Sequence, residues 1–462
     1  MEWDRLLSRK RYAEGGVSGR SDYDTIICST LFRRLQDKAQ VFPLDEDDYV
    51  RTRLTHSLEV SAVGKKLGEY VFSELKRQKA DPWFETHTEK AFSDVLLCAG
   101  LVHDIGNPPF GHFGEFAIRE WFQKNLGRLT LRGESVTGLL SQWQIQDLYL
   151  YEGNAQSLRL LSKTPHLGNG DGFNLSYSIL ASIIKYPVSS IDLQGDAGRR
   201  YRKMGYNFSE RELFWDINES TGMNGRRHPL SYLLEVADDI AYRTSDMEDA
   251  LVKGVLSIQK ILDTFQQLKT DCEEAGGTPQ EAKACMDRLE EYYREERNKD
   301  GNKPELTALQ RWNQLVQEMM IRDAGNAFVR HYAQIMEGSF EEDLFSRTAS
   351  GYLIGAISEL SERWIYTSPV KTRPELFGRR VIDSLLSQFM PAAVRCDTGR
   401  ALTFIEQRTM DTVSDFYKSM YRRASQGKGE QEKLYLRILM ITDYISGMTD
   451  SYAKRLYQEL FI

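Results

Sequence analysis

The sequence predicts an all-α fold with at most a small β-hairpin, and three observations carry the prediction. Apolar residues recur at three- and four-residue spacing along most of the 462 residues, only 12 prolines interrupt them, and no sustained apolar/polar alternation marks a multi-stranded sheet. The spacing is clearest after His56, where Leu58, Val60, Val63, Leu67 and Tyr70 follow one another, and around Asp238, where Leu233, Val236 and Ile240 do. Clustered Gly, Asn and Asp in PHLGNGDGFNLSYS, 165–178, mark an exposed loop or the one small hairpin. From Gln266 to Glu305 the chain is charge-rich and broken by GGTP and NKDGNKPE, which predicts a solvated helical excursion without a catalytic role. ASQGKGEQEK, 424–433, reads as a polar loop between two helices.

Composition narrows the class. A hydrophobic content of 41% and a charged content of 27% are ordinary for a globular protein. The net charge of −7 argues against whole-surface attraction to nucleic acid or anionic membrane, though not against a local basic pocket. Five cysteines without CxxC spacing fit reduced thiols rather than a disulfide framework or a zinc ribbon. MEWDRLLSRKRYAEGG lacks an apolar signal core, and no apolar stretch approaches the ~20 residues of a membrane span. The expectation is a cytoplasmic protein with no membrane partner.

Chemistry concentrates in three separated segments. His56 lies in RTRLTHS, His103 and Asp104 in LVHDIGNPPFGHFGE, and Asp238 in EVADDIAY. Two imidazoles and two carboxylates form a mixed nitrogen/oxygen set that suits a divalent ion. The helix carrying His103 must stop at Pro108-Pro109, because proline cannot donate a backbone bond and disfavours helix in the residue before it. Just past that turn, His112 and Glu115 stand at i and i+3, so the carboxylate can orient the imidazole and raise its proton affinity. That makes His112 a candidate proton donor. Asp238, Tyr242 and Asp246, spaced four and four, share one helical face among apolar neighbours, where they need polar partners.

These strings together resemble the HD-domain deoxynucleoside triphosphate triphosphohydrolases, most closely the bacterial dGTPases. RRLQDKAQVFPL (33–44), YEGNAQ (151–156), IKYP (184–187), KMGY (203–206) and DYISGMTDSYA (443–453) extend the resemblance to the C-terminus, while 255–375 match thinly. The resemblance implies one globule over 1–462, with an HD core at about 30–250, the charged excursion at about 266–305 and a C-terminal helical region at about 306–462. It implies a homo-oligomer, a hexamer built from dimers, that cleaves dGTP or other dNTPs between the 5′ oxygen and the α-phosphorus, releasing deoxynucleoside and tripolyphosphate.

Carried over by motif, His56, His103, Asp104 and Asp238 hold one divalent metal ion per subunit, with Asp239 in support. A His₂Asp₂ set accepts Mg²⁺ or Mn²⁺, and also Fe, Co or Ni. His112, oriented by Glu115, protonates the leaving oxygen. Arg53, Lys185 with Tyr186, Lys203 and Arg380 match the phosphate contacts, with Arg379 beside Arg380 able to serve as well. Gln40 and Asp246 match positions that bond the sugar 3′ hydroxyl, and Tyr242 packs where a 2′ hydroxyl would project. The choice of guanine rests on the resemblance alone. Single-stranded DNA or a second dNTP as effector stays open, and so do two other readings: another HD phosphohydrolase (a nucleotidase or phosphodiesterase) and a non-catalytic nucleotide or single-strand sensor.

Overall fold

The computed structural model describes residues 1–13, 21–165, 172–193, 203–274, 279–299 and 303–462. It is 70% helical, and the one sheet among the described residues is a two-stranded antiparallel hairpin. The fold class is therefore all-α, as the periodicity predicts.

Nine helices position the site. In chain order they are α1 (Arg53–Arg77), α2 (Lys90–Val102), α3 (Gly111–Asn125), α4 (Gly153–Lys163), α5 (Pro229–Val252), α6 (Pro304–Arg330), α7 (Pro369–Arg395), α8 (Glu430–Ser446) and α9 (Asp450–Phe461). Their starts follow local chemistry. Helix α5 begins at Pro229, and the His228 ring caps it by accepting from Leu230 N at 3.1 Å through Nδ1. Burial lowers the His228 pKa to about 4, so that ring is a neutral cap. Helix α9 is capped by Thr449, whose hydroxyl accepts from Tyr452 N at 3.2 Å.

Helices α1 and α2 pack at unusually short range. A Cβ on Gly100 would stand 2.6 Å from the Ser61 Cα, so only glycine admits this approach, and it brings the end of α2 beside His56. Two cores result. One gathers α1, α2, α5 and α6 around Leu67, Leu96, Ile240 and Trp312; the other gathers α3, α7, α8 and α9 around Ile118, Ile382, Phe389 and Tyr444. Each fully buried aliphatic side chain there contributes roughly 1.5–3 kcal/mol.

Two expectations change. The hairpin is not found in the described part of 165–178; it pairs Thr130–Leu131 with Glu134–Ser135. Its turn, Arg132-Gly133, has φ of 57° and 89°, the twist a two-residue hairpin needs, and an Arg at the first turn position hides it from a search for Asn-Gly or Asp-Gly. Residues 166–171 lie outside the described residues. The charged stretch is also less solvated than predicted. Its helix Gln280–Arg297 buries Ala282, Cys285, Met286 and Leu289, and Trp312 of α6 donates to the Cys285 carbonyl at 2.8 Å. Apolar residues one per turn are easily outvoted by the charges around them.

Candidate active site

A cavity of about 500 Å³ opens where the two cores meet. That volume suits a nucleotide-sized ligand, since such sites run to about 300–1,000 Å³. At its floor His56 comes from α1, Asp238 from α5, and His103 from the residue that ends α2. His56 Nε2 lies 3.1 Å from Asp238 Oδ1, and His103 Nε2 lies 3.7 Å from the same oxygen. Asp104 is 3.5 Å from His103 Nε2 and 4.0 Å from His56 Nε2. His103 Nδ1 meets the Gly100 carbonyl at 2.8 Å, so that nitrogen carries the hydrogen and Nε2 is directed at the carboxylates.

These donors fit a divalent ion. His103 Nε2 is buried without a hydrogen-bond partner, and the ligand atoms of His56, His103 and Asp238 lie within 4.8 Å of one another. Burial opposes a charge on His103, yet Asp104 and Asp238 raise its pKa to about 9. The carboxylates thus call for positive charge at the point where a metal would supply it. Asp104 stands at the edge of this trio: one oxygen is held by Arg53 and the other accepts from Asn107 Nδ2 at 2.5 Å.

Beyond the Pro108-Pro109 turn, His112 sits at the mouth of the cavity with its side chain 79% exposed. Its Nδ1 lies 3.3 Å from Glu115 Oε2. Glu115 itself is buried and accepts from Gly153 N at 2.7 Å, with Arg119 at 3.7 Å. Burial alone would raise the Glu115 pKa, but the His112 contact and nearby cations lower it, so it stays an anion facing the imidazole. Gly153 of YEGNAQ has a steric reason: a Cβ there would stand 2.3 Å from Asn107 Oδ1 and 2.5 Å from Glu115 Oε1.

The cations meet carboxylates before any ligand. Lys185 pairs with Glu235 at 2.9 Å and Lys203 with Glu152 at 3.2 Å, while Arg53 is paired with Asp104. Burial opposes a charge on Lys185, but Glu235 outweighs it and raises the pKa; Glu235, also beside Arg227, is lowered to about 2. Tyr186 lines the same wall. At the other end are Gln40, Tyr242 and Asp246. Gln40 Oε1 and Asp246 Oδ1 are buried and unpartnered, and the second Asp246 oxygen accepts from Tyr366 at 2.8 Å. Burial raises the Asp246 pKa to about 7 and that of Asp239 to about 6, Arg243 standing 3.5 Å from the latter.

Arg380 does not join them. It is exposed on α7 and does not line the cavity, and Arg379 pairs with Glu120 at 2.7 Å. Nine and five residues earlier on α7, Lys371 and Glu375 form an ion pair that does face the cavity, beside Tyr366. Sequence reasoning missed these three because the motif strings are thin there. Glu235 carried a usable signal, standing one turn before Asp238 on the same helix, as did Asn107 and Glu152 within quoted motifs.

Residues 53–151 match the HD domain and residues 357–459 the phosphohydrolase-associated domain. Both matches therefore supply walls of the cavity. No helix among the described residues is long and apolar enough to cross a membrane. A deoxyguanosinetriphosphate triphosphohydrolase-like protein of Listeria innocua is 39% identical over 100% of this chain and 99% of its own length. One from Synechocystis is 32% identical over 100% and 99%, and a deoxyguanosinetriphosphate triphosphohydrolase of Yersinia enterocolitica is 30% identical over 95% and 93%. With its ligand cluster and these full-length likenesses, the chain belongs to the HD-domain deoxyguanosinetriphosphate triphosphohydrolase-like family of phosphohydrolases.

Proposed function

We propose that this protein hydrolyses deoxynucleoside triphosphates, dGTP foremost, to the deoxynucleoside and tripolyphosphate. The observation that carries the reading is that one cavity joins a metal-ready His/Asp cluster, a His112–Glu115 pair and, at its far end, two buried unpartnered oxygens on Gln40 and Asp246. A nucleotidase or phosphodiesterase shares the metal cluster, and the products released distinguish it from this reading.

His56, His103 and Asp238, with Asp104 beside them, would hold the ion. When bound, a divalent ion supplies positive charge at the phosphoryl group and lowers the pKa of water; Mg²⁺ and Mn²⁺ fit this mixed donor set. His112 gives a proton to the departing 5′ oxygen, a task worth about 10²- to 10⁴-fold. Glu115, an anion on Nδ1, holds the ring so that Nε2 faces the substrate. Lys185, Lys203 and Arg53 exchange their carboxylate partners for phosphate oxygens, with Tyr186 packed beside Lys185. Gln40 and Asp246 bind the 3′ hydroxyl, and Tyr242 walls off the 2′ position.

Charge bears on assembly. Among the described lining residues, carboxylates outnumber the cations Arg53, Lys185, Lys203 and Lys371, whereas tripolyphosphate chemistry calls for an excess of positive charge. In this reading the protein is a homo-oligomer in which Arg380, exposed on α7, reaches the cavity of a neighbouring copy, and a monomer of full activity would count against it. The test of the whole reading is phosphorus NMR of dGTP with the protein and Mn²⁺ or Mg²⁺. Stoichiometric tripolyphosphate with deoxyguanosine supports it; orthophosphate or dGMP assigns the protein to another HD phosphohydrolase class.

A further inference from the structure

Two motif strings, RRLQDKAQVFPL and DYISGMTDSYA, lie mostly outside the chemistry described so far, yet each sends a buried charged side chain to the same turn. Lys38 is 2% exposed, and its ammonium donates to the Asn107 carbonyl at 2.5 Å and to the Ser446 carbonyl at 2.8 Å. Asp450, also 2% exposed, accepts from Phe110 N at 2.9 Å through one oxygen and from Ala39 N at 3.2 Å through the other. Three segments distant in sequence, 38–39, 107–110 and 446–450, are thereby stitched together by two side chains.

The stitched turn carries both halves of the site. Upstream, the Asn107 side chain holds Asp104, and Arg53, whose backbone N donates to the Lys38 carbonyl at 2.8 Å, holds its other oxygen. Downstream, Phe110 and Gly111 adopt φ of 64° and 61° before α3 presents His112. For phenylalanine that conformation costs of order 1 kcal/mol or more and persists only where the surroundings impose it. Asp450 holds the Phe110 amide, and a Cβ on Gly378 of α7 would lie 2.4 Å from the Phe110 ring, so the ring is gripped as well.

We infer that Lys38 and Asp450 form a latch between the HD match and the phosphohydrolase-associated match that positions Asp104 for the metal and His112 for proton transfer. They are positioning residues: neither lines the metal cluster, and both act through the 107–110 backbone. The inference rests on the metal reading above. Burial pulls the Lys38 pKa down to about 7 against the pull of Asp450, and Lys38→Met conserves side-chain length while removing both bonds to the Asn107 and Ser446 carbonyls.

The experiment is Mn²⁺ binding to the full chain, followed by the electron paramagnetic resonance of free Mn²⁺, alongside thermal melts without metal. Loss of a partner behind a metal ligand typically weakens affinity about 10- to 100-fold. Lys38→Met is therefore expected to raise the Mn²⁺ dissociation constant roughly tenfold, with Lys38→Arg intermediate. A core truncation remote from the turn, Leu439→Ala, is expected to lower the melting temperature with Mn²⁺ affinity unchanged. Unchanged Mn²⁺ affinity in Lys38→Met overturns the latch. Should that variant not fold, Asp450→Asn decides, since it conserves shape and its Mn²⁺ affinity must also fall. Failure of the unmodified protein to bind Mn²⁺ at all would instead overturn the metal reading beneath it.

Discussion

The sharpest prediction concerns Glu115, whose sole proposed catalytic task is to orient His112. Glu115→Gln conserves volume at a position only 4% exposed, and its carbonyl oxygen can still accept from Gly153 N, now made at 2.7 Å. What it loses is the anion 3.3 Å from His112 Nδ1. A hydrogen bond to a charged group contributes about 1.5–3 kcal/mol. With the His112 side chain 79% exposed, water replaces part of that, so the lower end applies. At about 1.4 kcal/mol per tenfold, Glu115→Gln should cost kcat about 10-fold, while His112→Gln, which removes the acid, should cost about 10²- to 10⁴-fold. Because Glu115 acts through His112, the double variant should be no slower than His112→Gln alone. The assay is tripolyphosphate release at saturating dGTP and metal. Multiplying losses, or a Glu115→Gln defect confined to KM, would refute the orienting role.

Other expectations follow from the same geometry. His56→Ala should abolish Mn²⁺ binding and turnover together, and a chelator should reproduce the loss reversibly; activity that survives chelation would exclude the metal reading. Tyr242→Ala should narrow the preference for dGTP over GTP by opening the wall at the 2′ position, so an unchanged kcat/KM ratio would discard the steric account. Asp147 is buried, with Tyr435 and Ser190 donating to it at 2.6 and 2.5 Å, and burial raises its pKa to about 7. The folded state thus holds a proton that the unfolded chain releases near pH 3.9, so the stability this group contributes is fully present below that value and is lost as pH rises toward 7. Asp147→Asn should flatten the decline in melting temperature between pH 5 and 7.5, and an unaltered slope would assign that pH dependence elsewhere.

The sequence by itself determined what depends on spacing along one chain. The 3.6-residue period specifies helices, Pro108-Pro109 ends the one before His112, i and i+3 put Glu115 beneath that imidazole, and four-residue steps align Asp238, Tyr242 and Asp246. Residue chemistry likewise marks His56, His103, Asp104 and Asp238 as candidate metal ligands before any contact is known. Tertiary structure alone decided what faces what. A buried face does not name its partner, so Lys38 could not be assigned to the Asn107 carbonyl, nor Lys185 to Glu235 and Lys203 to Glu152. Arg380 shows the same limit from the other side: its helix runs past the cavity, and rotation about the axis turns Lys371 and Glu375 inward while leaving Arg380 in solvent. Position on a helix is periodic and local. Which residue lies across the gap depends on helix packing between segments far apart along the chain, and that is set by shape, as where the missing side chain of Gly100 lets α2 settle onto α1.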